Sequence, residues 1–140
     1  MNDTILSSAG ANNLDGGAGS DTVSYAASNL AVLINLAGQI TSDGLALDTL
    51  SSIENATGSA FADTIVSSDG ANSIHGGGGI DTVSYSVASR AMLINLASGG
   101  ATDGVFTDTL ISIENAIGSA FADRIGCGVG RERAPGPRWQ

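Results

Sequence analysis

Shifting the chain by sixty residues lays positions 3–62 on 63–122 with 37 identities and no gap. A duplication this complete restricts the fold to architectures in which like segments stack beside one another. Asp3-Thr4-Ile5 returns as Asp63-Thr64-Ile65, and the series closes with Asp123-Arg124-Ile125. The chain therefore reads as two tandem 60-residue units, 3–62 and 63–122, and the start of a third. Within a unit the finer period is nine: the frames from Gly58, Ser67 and Gly76 each carry Asp or Asn sixth and an aliphatic residue eighth. The stretches 43–51 and 103–111 fit the same phase, so six frames of nine from Gly58 and a six-residue insertion at 112–117 make up the sixty-residue period.

Strand signals follow this phase. Thr22-Val23-Ser24-Tyr25 and Thr82-Val83-Ser84-Tyr85 are β-branched and aromatic runs between turn residues. Val32, Ile34 and Leu36 alternate with Leu33 and Asn35, as Met92, Ile94 and Leu96 do with Leu93 and Asn95. That is period two, the signature of a strand with one buried face. The Ser-Ile-Glu-Asn segments at 52–55 and 112–115 are too short for a helix and read as strand or turn. Asn35 and Asn95 are expected on an outward polar face.

Only 4% of the chain is aromatic and 20 of its 140 residues are glycine. A globule would be short of core with this supply, whereas a solenoid buries small aliphatic faces coil against coil. The expected fold class is all-β, a parallel β-solenoid over 1–126. Residues 127–140 lose the period, hold both prolines and three of the five arginines, and read as an irregular, disordered tail.

The charge is strongly acidic, with a net −9 overall. Residues 1–126 hold 13 acids and 2 bases, a net −11, a self-repulsion that bound divalent cations would relieve. Nucleic acid is excluded as a partner, because Arg90 and Arg124 are the only basic residues of the body. No apolar run reaches the length of a membrane span. A single cysteine, Cys127, rules out an internal disulfide.

The chemistry concentrates at two glycine-rich turns, G-G-A-G-S-D-T-V-S at 16–24 and G-G-G-G-I-D-T-V-S at 76–84. A hard cation such as Ca²⁺ takes six to eight oxygens in irregular geometry, which suits backbone carbonyls with one or two carboxylates. Glycine lets successive carbonyls converge by adopting positive φ. Asp21 and Asp81 would supply charge, and Gly16, Gly17, Gly19, Gly76, Gly77 and Gly79 the bend and the carbonyls. An aspartate recurring at the sixth place favours a metal over a bare corner. Asp48, Asp108, Asp43 and Asp103 lack the glycine pair and read as turn-capping side chains.

Both nonapeptides match G-G-x-G-x-D-x-U-x at every fixed position. In this the chain resembles the repeats-in-toxin (RTX), hemolysin-type calcium-binding nonapeptide repeat family. The resemblance implies a right-handed parallel β-roll in which two nonapeptides form one coil and Ca²⁺ sits between turns stacked on one edge. It further implies that the turn ending at Asp63 stacks on that ending at Asp81, and the one ending at Asp3 on that ending at Asp21, which adds Asp3 and Asp63 to the candidate ligands. The turns 58–63 and 67–72 depart from the pattern through Ser59, Phe61, Ser67, Ser68 and Asn72, and are poorer cages. Phe61 and Phe121 are expected to point into the core.

Catalysis gains no support. His75 is the only histidine and aligns with Asp15, no nucleophile-elbow or H-E-x-x-H sequence occurs, and the glycine runs open strands rather than the helix that a dinucleotide site needs. The sequence is read as a non-catalytic calcium-binding module of a secreted protein that folds on calcium. The other readings are an accessory module of a polysaccharide-acting enzyme and a calcium-dependent adhesin or spacer associating through its solenoid ends. Met1 to Ile5 lack the basic start and apolar stretch of a cleavable signal, so export of the type I kind follows from the resemblance alone.

Overall fold

The computed structural model describes residues 1–126; the tail expectation for 127–140 lies outside the described residues. These residues form fifteen short strands and no helix: β1 Thr4–Leu6, β2 Asn13–Asp15, β3 Thr22–Ser24, β4 Leu33–Asn35, β5 Ile40–Ser42, β6 Leu47–Ser51, β7 Asn55–Thr57, β8 Thr64–Val66, β9 Ser73–His75, β10 Thr82–Ser84, β11 Leu93–Asn95, β12 Gly100–Thr102, β13 Thr107–Ile111, β14 Asn115–Ile117 and β15 Arg124–Gly126. Most are three residues long because a glycine, serine or aspartate turn interrupts the chain at each end. In a three-residue strand only the central side chain faces inward. Val23, Ile34, Ile65, Ile74, Val83 and Ile94 occupy that place and are fully buried. They form the core with Leu36, Leu50, Ile53 and the two tyrosines, each aliphatic contributing about 1.5–3 kcal/mol.

The strands build two sheets, one of eight strands in the order β1-β3-β7-β9-β13-β12-β11-β15 and one of seven, β14-β10-β8-β4-β5-β6-β2. Successive strands alternate between them, and strands of successive coils pair in parallel. Thr4 lies against Thr22 and Thr64 against Thr82, eighteen residues apart. The alternation pauses twice. β4, β5 and β6 form an antiparallel meander inside the seven-stranded sheet, and β11, β12 and β13 do the same in the other.

These meanders correct the six-frame reading. The stretch 43–51 does not cross the solenoid as a frame of its own, because β6 folds back on β5 with Thr41 opposite Asp48. From β1 to β7 the chain thus makes five passes, counting the meander once, and an odd number returns it to the opposite sheet. β3 lies in the eight-stranded sheet and its sequence equivalent β10 in the seven-stranded one. The Ser-Ile-Glu-Asn segments are turns whose last residue opens β7 or β14. They stack on the glycine turns, since β7 pairs with β3 and β14 with β10.

The alternating runs bury as expected: Val32, Ile34 and Leu36 are inside and Leu33 is out. Asn35 and Asn95 do more than face outward, since Oδ1 of each accepts the amide of Gly38 or Ser98 and closes the turn into the meander.

Candidate metal centre

Every coil of a solenoid presents backbone N–H groups at its corners that no sheet ladder can satisfy, and buried donors need partners. Here aspartates supply them. Oδ1 of Asp21 accepts the Asp3 amide at 2.7 Å, Oδ1 of Asp81 the Asp63 amide at 2.8 Å, and Oδ1 of Asp63 the Val32 amide at 2.8 Å. Asp48, Asp108 and Asp123 take the amides of Asn12, Asn72 and Met92 in the same way. One carboxylate oxygen per corner therefore staples neighbouring coils. An aspartate at the sixth place is a structural requirement of the corner, and it does not by itself mark a metal.

The second oxygen separates the corners into kinds. At Asp63, Oδ2 accepts the Ser59 amide at 2.6 Å while the Ser59 hydroxyl donates to Oδ1 at 2.7 Å. That turn is closed on itself. At Asp48 and Asp108, Oδ2 accepts a serine hydroxyl, Ser7 or Ser67, and a tyrosine hydroxyl, Tyr25 or Tyr85, each tyrosine at 2.7 Å. At Asp21 and Asp81, Oδ2 is buried and has no partner among the described residues. The amide that serves Asp63 is diverted at these two: Gly17 N–H donates to Asp15 Oδ1 at 3.0 Å and Gly77 N–H to His75 Nδ1 at 3.1 Å. Asp123 Oδ2 is likewise unpartnered, with Ser119 Oγ on its Oδ1.

A buried carboxylate oxygen without a donor is costly, and in a native fold it calls for an explanation such as an ion. The space beside it has the right walls. A Cβ on Gly16 would lie 2.8 Å from Asp21 Oδ2 and collide with the carbonyl oxygen of Ser52; on Gly76 it would lie 2.5 Å from Asp81 Oδ2 and collide with that of Ser112. The absent side chain lets the carboxylate and the carbonyl of the next coil approach the same glycine, as Asp63 Oδ2 and the Gly76 carbonyl do at Gly58, and both are oxygen donors of the kind Ca²⁺ takes. Among the described residues no three His, Cys, Asp or Glu side chains converge. The donor set is carbonyl oxygen with few carboxylates, which suits a hard cation and not zinc. Burial pushes Asp81 up to about 6, and the nearby carboxylates of Asp63 and Glu114 add to the rise. A positive ion would reverse both effects.

Residues 1–29 and 49–83 match the RTX calcium-binding nonapeptide repeat in four copies. These residues are RTX calcium-binding nonapeptide repeats. RTX nonapeptides are calcium-binding repeats, and the all-β architecture of short strands in two sheets is consistent with a β-roll. A search of curated proteins gives no match.

The RTX turns bring Gly16, Gly17, Gly19 and Asp21 together at one corner and Gly76, Gly77, Gly79 and Asp81 at another. Gly17, Gly19, Gly77 and Gly79 have φ of 79°, 133°, 90° and 85°. Asp63 is buried in its closed turn, while Asp3 is exposed and offers its amide to Asp21. Phe61 and Phe121 do not enter the core: they are 45% and 53% exposed. The hydroxyl of Ser59 or Ser119 accepts the amide of the phenylalanine two residues on, at 3.0 and 3.1 Å, and that hydrogen-bonded turn leaves the ring outside.

Asp48 and Asp108 cap turns, yet they also anchor the core tyrosines. Burial opposes the charge on Asp48, but hydrogen bonds from Tyr25, Ser7 and Asn12 outweigh it and hold its carboxyl below the usual range. At Asp108 burial prevails and the shift is upward. Asp43 and Asp103 are turn caps, each accepting two amides on Oδ1, from Leu45 and Ala46 or from Val105 and Phe106. Sequence reasoning missed Glu54 and Glu114. Their Oε2 atoms accept the amides of Asp21 and Asp81 at 2.8 Å from thirty-three residues away. The recurrence of Ser-Ile-Glu-Asn was the available signal, but it lies outside the nine-residue grammar.

Proposed function

We propose that the chain is a non-catalytic calcium-binding module of a secreted protein, that residues 1–126 act as one right-handed β-roll domain of two sixty-residue units, and that it becomes fully stable only with calcium bound. Asp21 and Asp81 are the charged ligands, with carbonyl oxygens of Gly16, Gly17, Gly19, Gly76, Gly77 and Gly79 as the nearest supply of further donors. The observation that carries this reading is the pair of buried, unpartnered Oδ2 atoms at the two corners that keep the full glycine motif. The closed turn at Asp63 supports it by contrast, because a serine there supplies what the glycine corners lack.

The energetic consequence is linkage. An ion that binds only the folded chain adds about 4 kcal/mol per site at a thousandfold excess over Kd. That is a large share of the stability of a small domain. Calcium sites of extracellular modules work at roughly 0.1–1 mM, so such a chain would stay loose where calcium is scarce and tighten outside the cell. Circular dichroism of the whole chain, in chelator and then in calcium, tests this. A β spectrum and melting temperature that rise with calcium are expected; identical spectra and melts in both conditions would refute it.

A further inference from the structure

Building on the assignment of calcium to Asp21 and Asp81, we infer that the Ser-Ile-Glu-Asn turns complete the two sites, with the Ser52 carbonyl and Glu54 carboxylate serving Asp21 and the Ser112 carbonyl and Glu114 carboxylate serving Asp81. Each ion then lies between a glycine turn and the coil that follows the meander, and not between two nonapeptide turns.

The two oxygens of each aspartate point to different neighbours. Oδ1 of Asp21 is directed at the preceding coil, where it holds the Asp3 amide. Oδ2, the atom in need of a partner, faces the opposite side, beside Gly16 and the Ser52 carbonyl. Asp81 repeats this with Asp63 on one side and Ser112 on the other. An ion that satisfies Oδ2 is therefore on the side of the Ser-Ile-Glu-Asn turn.

The backbone of that turn is shaped for the task. Ser52 and Ser112 have φ of 55° and 54°, and Gln39 is the only other non-glycine residue with positive φ among those described. A left-handed conformation at a residue other than glycine is strained and persists where the surroundings hold it. Gln39 has visible compensation, since its side-chain amide bonds the backbone of both Leu36 and Ile53. Among the described residues no side-chain hydrogen bond of Ser52 or Ser112 offsets theirs. What the conformation achieves is a carbonyl aimed at the gap beside each Oδ2.

Glu54 and Glu114 supply the second charge. Each is fixed against its aspartate by the amide it accepts, at 2.8 Å. The hydrogen bond is to the aspartate's backbone amide and brings the glutamate to the same corner, and at Asp81 the Glu114 carboxylate is near enough to repel its charge; a divalent ion taken up there would turn such repulsion into binding. The ion would also join segments separated by the whole meander, since Asp21 and Glu54 are thirty-three residues apart. Closing a loop of that length is where a crosslink gains most over a local one.

Calorimetric titration of the whole chain with CaCl₂ tests the assignment in four versions: unaltered, Glu54→Gln, Glu114→Gln and Asp3→Asn. Glutamine keeps an acceptor for the aspartate amide while removing charge. Each glutamine variant is expected to weaken one site by about tenfold or more, since calcium affinity follows ligand charge count, and Asp3→Asn to leave both within about twofold. Glutamine variants within about twofold of the unaltered chain, or an Asp3→Asn variant that loses a site, overturn the inference while leaving Asp21 and Asp81 as ligands. An unaltered chain that takes up no calcium instead removes the reading beneath it. Should a glutamine variant fail to fold, Tb³⁺ soaked into crystals of the unaltered chain decides: an anomalous peak bonded to the Ser52 and Ser112 carbonyls supports the assignment, and one on the Asp3 or Asp63 side overturns it.

Discussion

The turns 58–63 and 76–81 are neighbours in one stack and run into strands paired residue for residue, Thr64 against Thr82. They treat the same aspartate in opposite ways. Ser59 gives Asp63 an amide and a hydroxyl, whereas Gly77 has positive φ and turns its amide to His75, so Asp81 keeps one buried oxygen without a donor. At Asp63 the serine at the second place completes the corner through its amide on Oδ2, whereas at Asp123 Ser119 reaches only Oδ1 and Oδ2 stays without a partner among the described residues. Gly77 leaves the Asp81 corner in need of something else. Between the turns 58–63 and 76–81 the difference resides at the second place, in whether its amide reaches the aspartate or is turned away, while the aspartate is common to both.

The largest effect should follow from removing charge at the open corners. Asp21→Asn with Asp81→Asn should abolish the calcium-dependent part of stability, about 4 kcal/mol per site at a thousandfold excess, as read from melts with and without calcium. The matching Asp63→Asn should leave that calcium-dependent part in place while lowering stability equally in both conditions. Equal loss of the calcium response in both would erase the distinction between the corners.

Next in size is Gly76→Ala, whose Cβ would collide with the Ser112 carbonyl and stand 2.5 Å from Asp81 Oδ2. Overpacking of this kind costs about 1–3 kcal/mol, and calcium binding at Asp81 should go with it. Gly78→Ala is the control, since its Cβ would meet nothing nearer than Ala60 at 3.4 Å. Urea unfolding should show the first and scarcely register the second.

The pH response sharpens the same contrast. Burial raises Asp81 to about 6 from 3.8, so between these values the folded chain holds a proton that the unfolded chain has released. Without calcium, stability from this group is fully present below about pH 4 and lost as pH rises through 6, by up to about 3 kcal/mol. With calcium the trend should reverse, because the ion binds the ionised carboxylate and its affinity weakens as pH falls through 6. Urea midpoints across pH 4–7 in chelator and in calcium should cross; parallel curves would mean that Asp81 does not meet the ion.

The smallest effect is expected from Ser59→Gly, which opens the closed corner. Loss of the hydroxyl bond to Asp63 should lower calcium-free stability by about 1 kcal/mol. A calcium response larger than that of the unaltered chain would show that the serine is what kept Asp63 from binding.

Much of this was legible from the residues because it is local. The Thr-Val-Ser strands and the buried Val32, Ile34 and Leu36 beside exposed Leu33 follow from side-chain parity and turn chemistry, and the stacking eighteen residues apart is what the RTX resemblance implied. The meander was not, because β6 carries the same Asp-Thr-Leu signs as a coil crossing and only its antiparallel pairing with β5 sets it apart. It also hid the partners that matter most. Glu54 reaches Asp21, and Asp48 reaches Tyr25, only after three strands have folded back, and no period of nine encodes a contact at those separations. Phe61 was misplaced because hydrophobicity suggested a core position where the turn's own hydrogen bond sets the direction.

The most direct measurement is the number of ions taken up by the whole chain in a calcium titration, repeated on Asp21→Asn and Asp81→Asn. The account predicts that each substitution removes one ion while the serine-closed corner at Asp63 contributes none. Uptake that stays the same in both variants would contradict it.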